Sequence, residues 1–569
     1  MRLATLLRRR AGRTDGSGEA RPTTGRTPVV RHRAVVRTSS VLLAATLSLV
    51  ACSSETSSTS GASHQPSDAD VPSMTFALDG TVLSLDQAVS YTTTNYPVVS
   101  LLVEGLMTYD PAGKLVPNLA ASVKNPDPLT YVYTLRDGVK FWDGNPVTAE
   151  DAAFSLKRNL DPGLASVLAG YYSSVKDIKA TGPLEVTMTL KKVDPFAQYI
   201  PAFSGGVVEK SYVQGKGKKF GSGAGLTMGT GPYKIDSFSS SGLKLERNDA
   251  YRGTKPKVAA LTFTTIENPD ALRLAMQSGD VDGTFSAQAE SYNVWDKMDG
   301  VTMTYADAFY LQYLSLETTT DPFDDLHVRR AVAYAANAAG LLEPLFNGHA
   351  GLSKSPIIDS AWGNFGDQAA EIKKTYDALP TYEFSMDKAK QELAQSDHPN
   401  GFTITVPYPN NPTYLGKTLQ NLAQNLQTIG ITLKLEQTTG EKWGGHIFAN
   451  PVGLGMQIEQ FGLDYPDAGN FPALAMGTSN STPNALGTAK FSTPELEDLL
   501  TQQRSTTDPA KRAEALLKTM DIMADQVPVV PLFHTDDSLA LSDKYVYDAQ
   551  FSHWTTLFGA WAVNLKAAG

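Results

Sequence analysis

Between residues 402 and 436 the hydrophobic positions switch between two periods. Phe402, Ile404 and Val406 take every second position, as one face of a strand does. Leu415, Leu419, Leu422, Leu426 and Ile429 then recur at steps of four and three, the stripe of an amphipathic helix. Gly430 stands where that helix should end in a left-handed residue, and Ile431, Leu433 and Leu435 resume the alternation. The pattern predicts a βαβ unit. From Met74 onward strand and helix patterns keep alternating, which predicts an α/β protein. Several helices announce their starts. Asn268-Pro269 supplies a cap and a first-turn proline before Leu272 and Met276, with Gly279 to close. Thr148 and Asp151 form a capping-box pattern before Phe154. Thr493-Pro494 and Asp508-Pro509 open two more helices, and Val328, Val332, Ala335 and Ala339 stripe another. No internal repeat is visible, which argues against a solenoid. The Gly/Lys/Ser stretch 214–225 predicts a loop; its glycines fit neither GxGxxG nor a P-loop, so it is given no phosphate chemistry.

The front of the chain has a different character. Val41–Val50 is an uncharged, largely apolar run that follows Arg31, Arg33 and Arg37. A basic stretch, a short apolar stretch and a small residue make the pattern of a secretory signal peptide, here residues 1–51. Leu49-Val50-Ala51-Cys52 resembles the bacterial lipobox. That resemblance implies cleavage before Cys52 and a diacylglyceryl thioether on its sulfur, since a thiol is the required nucleophile. Cys52 is also the only cysteine, so a disulfide scaffold is excluded. Residues 53–72 contain seven Ser and almost nothing apolar, so 52–72 is expected to be a flexible tether.

With 569 residues there is room for two to four domains. Residues 1–51 hold ten Arg and only Asp15 and Glu19 as acids, so removing them takes the formal charge from -10 to -18. An acidic body argues against a nucleic-acid partner and is compatible with cationic or zwitterionic solutes. The eight histidines are scattered with no HxxxH pair and no Cys/His cluster, so no metal site or cofactor is expected. GxSxG, GxxxxGK[ST], HExxH and the kinase set are all missing, and Asp324-Asp325 and Asp536-Asp537 read as loop or cap acids rather than catalytic dyads. Nothing makes a positive case for an enzyme.

Tyr131–Arg158 reads YVYTLRDGVKFWDGNPVTAEDAAFSLKR, which closely resembles the signature of the family 5 extracellular solute-binding proteins, the peptide/nickel-binding components of bacterial ABC importers. Further segments match in family order: 102–120, GTGPYKI at 229–235, LERNDAYRG at 245–253, 268–283, 313–337, 387–394, 419–435, FGLDYPDAGNF at 461–471 and VPVVPLF at 527–533. The resemblance implies an α/β, bilobed periplasmic-binding-protein-like fold (type II, cluster C) with an extra α+β domain inserted in lobe one. By analogy lobe one takes 73–108, 229–312 and 530–569, the insert 109–228, and lobe two 313–529. The chain would cross between lobes near Tyr313–Leu316 and Pro528–Pro531.

In peptide-binding relatives an aspartate in a W-x-x-D-Y-like segment pairs with the ligand's α-ammonium. The matching residue is Asp464, followed by Tyr465, with Phe461 where relatives often carry Trp; a turn aspartate ahead of Pro466 is the plainer reading. Trp443 matches a cleft tryptophan, and Tyr91, Thr92, Thr93, Thr94 and Asn95 match a loop whose backbone pairs with ligand. An ordinary core tryptophan and a polar surface turn are the alternatives. Tyr171 and Tyr172 are expected to line the insert's side of the cleft. Residues 443–489 hold no Lys or Arg, where peptide binders often place arginines for a ligand carboxylate. The resemblance implies a monomeric, lipid-anchored, extracytoplasmic protein that captures oligopeptides or dipeptides and passes them to ABC permease subunits with their cytoplasmic ATPases. Open alternatives keep the clamp but change the ligand to a nickel chelate, haem or oligosaccharide, or make the body a secreted hydrolase or sensory component.

Overall fold

Nine strands assemble the largest sheet of the computed structural model, which describes residues 65–239, 242–483 and 485–569. Numbered along the chain they are β1 (Met74–Leu78), β2 (Tyr233–Ser239), β3 (Gly242–Arg247), β4 (Ala260–Thr265), β5 (Gly283–Thr284), β6 (Val301–Leu316), β7 (Ala350–Leu352), β8 (Met456–Gly462) and β9 (Val529–Ser542). Their order is β8-β6-β9-β5-β1-β4-β3-β2, with β7 pairing onto β9. β1 runs parallel to both β4 and β5. It is covered on both faces, which is why MTFAL reads as a nearly continuous apolar run. The long strands β6 and β9 form an antiparallel pair at the other side of the sheet. The two segments expected to cross between lobes lie side by side in it: Tyr313 opposite Pro531, Leu314 opposite Val530, and Leu316 donating its N–H to the Pro528 carbonyl at 2.9 Å.

The βαβ pattern is borne out. Thr403–Pro409 pairs in parallel with Thr432–Thr438, joined by the helix Thr413–Gln427. Leu415, Leu419, Leu422 and Leu426 are its buried stripe. The helix ends at Gln427, and Gly430, at φ +96°, turns the chain so that the Ile431 N–H reaches the Leu426 carbonyl. The caps are also present. Asn268 accepts from Ala271, Thr493 from Leu496 and Asp508 from Ala510, and Thr148 and Asp151 cap reciprocally.

Within 109–228 an antiparallel four-stranded sheet runs Ala120–Asp127, Thr130–Leu135, Glu185–Leu190, Val175–Gly182, with the helix Ala149–Lys157 packed on it. It is moored by Arg158, whose guanidinium grips Asp86 through both nitrogens at 3.0 and 2.5 Å. Its core of Tyr133, Leu156 and Met188 is continuous with Tyr313, Phe461, Phe471 and Trp554. The stretch 214–225, predicted to be all loop, begins inside a helix, Lys210–Lys216, that turns into a single 3-10 turn over Gly217–Lys219. Lysine and glutamine favour helix, and this outweighs Gly215 there.

The expected tether also needs correction at its end. Pro66–Ser67 pairs antiparallel with Ala567 and Ala568, Val71 is buried against Lys257–Val258, and Asp68 and Asp70 pair with Lys566 and Arg247. Residues 65–72 therefore belong to the body. Composition concealed this because two backbone pairings and one valine suffice to hold so short a strap. The signal segment, Cys52 and the rest of the tether lie outside the described residues. Among the described residues no helix is long and apolar enough to cross a membrane.

Candidate functional site

β8 ends at Gly462, and Leu463 continues its pairing through an N–H to the Phe309 carbonyl at 3.1 Å. The chain then folds into a tight loop, 464–470, at whose start Asp464 stands partly buried. Asp467 braces that loop from within. One of its oxygens accepts from the Gly469 N–H at 2.8 Å and from Arg512 Nη2 at 2.6 Å; the other accepts from Arg512 Nη1 at 2.8 Å. Both residues of that ion pair are buried. Asn364 Nδ2 adds a hydrogen bond to the Pro466 carbonyl.

Held in this way, the Asp464 carboxylate meets two phenols from distant segments. The Tyr91 hydroxyl donates to Oδ1 at 2.8 Å and the Tyr171 hydroxyl to Oδ2 at 2.7 Å. The two rings are set by aromatic packing: Tyr91 lies edge-on to Tyr96 at 4.4 Å, and Tyr171 packs on Phe203 at 4.9 Å. Burial pushes the Asp464 carboxyl up to about 6, opposed by the Tyr171 hydrogen bond and by His553. Among the described residues no Lys or Arg pairs with it. A carboxylate has about four acceptor positions, and the phenols occupy two. The arrangement is a desolvated anion with acceptor capacity to spare, suited to a ligand donor of positive charge.

A cavity of about 240 Å³ adjoins this loop, lined by Asp79, Thr93, Thr94, Tyr310, Gln460, Asp537 and His553 among others. A roomier one, about 430 Å³, lies away from Asp464 between Ala333–Ala339, 352–356, 379–384, the helix Pro509–Gln526 and the start of β9, with a mostly apolar lining. It holds no residue of the site. A second buried carboxylate, Glu459 on β8, accepts from Tyr313 at 2.8 Å and Thr488 at 2.6 Å; burial without a cation pushes it up to about 7. Among the described residues no group of three or more His, Cys, Asp or Glu could hold a metal ion.

Residues 114–487 match the sequence signature of the bacterial extracellular solute-binding proteins, family 5 (its middle region). The chain belongs to that family. Among curated relatives, this solute-binding protein is 25% identical over 467 residues to a glutathione-binding protein, GsiB, of Shigella flexneri serotype 5b, covering 80% of this chain and 88% of the relative. The Escherichia coli K12 counterpart is 24% identical over the same length. Among solved structures, DppA from Helicobacter pylori in complex with the peptide STSA superposes with TM-score 0.73 at 22% identity, over 88% of this chain and 99% of that one. AppA from Bacillus subtilis with a nonapeptide gives 0.71 at 18%, over 89% and 100%. NikZ from Campylobacter jejuni with Ni(L-His) also gives 0.71 at 18%, over 88% and 100%. The fold shared with them is the bilobed α/β fold of periplasmic binding proteins.

In this solute-binding protein three of the residues singled out from sequence, Tyr91, Tyr171 and Asp464, meet at one point. Thr93 and Thr94 line the adjoining cavity, and Thr94 Oγ1 donates to Asp79 at 3.0 Å. Thr92 is exposed and its Oγ1 accepts from the Asn95 N–H, while Asn95 is buried with its Nδ2 on the Ser90 carbonyl; both shape the loop. Tyr465 is a buried floor, stacked on Tyr199 at 5.0 Å. Phe461 is not a cleft wall: it is buried beneath the loop against Phe471 at 4.9 Å. Phe461 is the penultimate residue of β8, whereas Asp464 lies two residues beyond the end of that strand. Tyr172 is also core, its hydroxyl bonded to Asn159, Ser204 and the Ser204 carbonyl. Trp443 sits on the helix Gly440–Ala449 with its indole nitrogen buried and unpartnered, and nothing connects it to Asp464. Sequence reasoning set Asp537 aside as a loop or cap acid and did not single out Asp467, Arg512, Tyr310 or His553. Only Asp467 lay inside a quoted family segment; the others carry no local pattern.

Proposed function

We propose that this family 5 protein is the lipid-anchored, extracytoplasmic binding component of an ABC importer, that it captures short peptides by their free amino terminus, and that it performs no covalent chemistry. The observation that carries the reading is the Asp464 carboxylate, desolvated, lacking a cation, and gripped by Tyr91 and Tyr171. We assign Tyr91 to lobe one, Tyr171 to the insert and Asp464 to lobe two, with the hinge in the paired segments Tyr313–Leu316 and Pro528–Pro531. The phenols then reach Asp464 across the cleft, and a ligand ammonium that strengthens the charge favours the closed form. A permease that reads the closed form takes the ligand from there. Mutation of Asp464 tests this by calorimetry with paired peptides. Asp464→Asn should weaken a free-amine peptide by about 2–4 kcal/mol, roughly 30- to 1000-fold, and leave its acetylated twin unchanged. Equal loss for both removes Asp464 from the ammonium role.

A second reading takes glutathione as the ligand, favoured by the GsiB relatives. Its α-ammonium suits Asp464, but its carboxylates outnumber its ammonium, and no Lys or Arg lines the adjoining cavity. Competition of glutathione against a neutral dipeptide separates the two. A nickel chelate, haem and sugars belong in the same thermal-shift panel, since any true ligand raises the melting temperature by mass action. Intact recovery of bound peptide after denaturation distinguishes a binder from a hydrolase, and importer genes beside this one favour transport over sensing. Lipidation at Cys52 is tested by labelling with a clickable fatty acid, which Cys52→Ala should abolish. The monomeric state is read from light scattering.

A further inference from the structure

The cavity next to Asp464 is chemically one-sided. Its acids are Asp79 and Asp537, its one imidazole is His553, and no Lys or Arg lines it. The exposed Asp79 has a neutral partner, the Thr94 hydroxyl on its Oδ1. Asp537 Oδ2 faces His553 Nδ1 at 2.6 Å. A ring nitrogen against a carboxylate is the donor, which leaves Nε2 as the nitrogen of the ring still to be paired. His553 is only 2% exposed, and its Nε2 has no hydrogen-bond partner within the protein. A buried polar nitrogen left open in this way is costly unless something pairs with it. Phe285, Phe551 and Tyr310 supply aromatic wall, whose ring faces attract organic cations.

The cavity also lies near the Asp464 site, since its residues Tyr310 and His553 both interact electrostatically with Asp464. Thr93 and Thr94 stand two and three residues after Tyr91, and Gln460 lies on the strand that leads to Asp464. Tyr310 connects the two: burial raises its hydroxyl well above the phenol range, and the charges of Asp537, Asp464 and Asp79 add to this in that order. Three carboxylates thus act on one buried ring, and no Lys or Arg lines the cavity beside it.

We propose that this cavity is a second cation subsite, so that the preferred cargo is a short peptide with a lysine or arginine side chain as well as a free amino terminus. The α-ammonium takes Asp464 and the side-chain cation takes the space bordered by Asp79, Asp537 and His553. The inference rests on the reading of Asp464 as the ammonium anchor. Aromatic walls and the few charged oxygens suit an organic cation better than a hydrated metal ion.

The test is calorimetry on the mature protein with Lys-Ala and Ala-Lys against their norleucine counterparts, which keep the side-chain length without the charge. At least one lysine peptide should bind about tenfold tighter than its norleucine twin. That ratio should fall to within about threefold in Asp537→Asn and in Asp79→Asn, the loss of one charge-assisted contact. Should Asp537→Asn fold poorly through loss of its His553 contact, the exposed Asp79→Asn decides alone. Equal affinity for lysine and norleucine peptides, with both still weakened by Asp464→Asn, overturns the subsite and leaves the ammonium anchor standing. Failure of all four peptides to bind overturns both.

Discussion

Asp464 and Glu459 show two uses of the same cost. Each is a carboxyl taken out of water without a cation, and burial raises both, to about 6 and about 7. For Asp464 the consequence is functional. An ammonium needs the ionised form, so affinity for a free-amine peptide should be flat above pH 7 and fall about tenfold per unit below 6. Calorimetry at pH 7.5, 6.0 and 5.0 measures this; a flat profile would separate the carboxyl from the ligand. For Glu459 the consequence is stability. Its folded value lies above the ordinary 4.5, so the folded state binds its proton more tightly than the unfolded chain. That contribution is complete below about pH 4.5 and is lost as pH rises through 7. Glu459→Gln should therefore stabilise the ligand-free protein by roughly 1–3 kcal/mol at pH 8, and the gain should vanish near pH 5. Melting curves at the two pH values check the sign. Asp464 was legible in the sequence because it sits in a family segment that also carries Tyr465. The acidic cavity was not legible. Asp79 stands hundreds of residues before Asp537 and His553, and those two, sixteen positions apart, follow no spacing that would betray them.

At the scale of elements, local chemistry was readable wherever one segment contained the whole device. The Thr148–Asp151 cap, the Asn268 cap and the 413–427 helix depend on neighbours three or four positions away, and each forms as its pattern requires. Pairing between remote strands has no such local record. Nothing in Val301–Leu316 or Val529–Ser542 announces that the two lie in register, and the burial of Phe461 follows from that sheet rather than from its own segment. The 464–470 loop is a similar case, because its shape depends on Arg512 from the helix Pro509–Gln526. Asp467→Ala leaves that guanidinium buried and alone, and should destabilise the protein by about 3–5 kcal/mol. Urea denaturation measures the loss. Because the same loop presents Asp464, peptide affinity should fall with it even under conditions where the variant stays folded.

For the whole molecule, the family segments conveyed the bilobed architecture, while the ligand is decided by a handful of side chains that the architecture brings together. Closing the cleft on a ligand should shrink the protein measurably. X-ray scattering with and without a bound free-amine peptide should give a smaller radius of gyration when loaded, and identical profiles would count against a hinged clamp. The strap at the front of the body, Pro66–Ser67 stitched onto Ala567 and Ala568, has a mechanical corollary. On the proposed lipid anchor at Cys52, the twelve residues 53–64 that separate it from the described body span at most about 43 Å even at full extension. Had the body begun only at residue 73, that limit would be about 70 Å. The stitch thus sets a ceiling on how far the captured cargo can wander from the membrane, and a permease mouth standing higher than that would be out of reach.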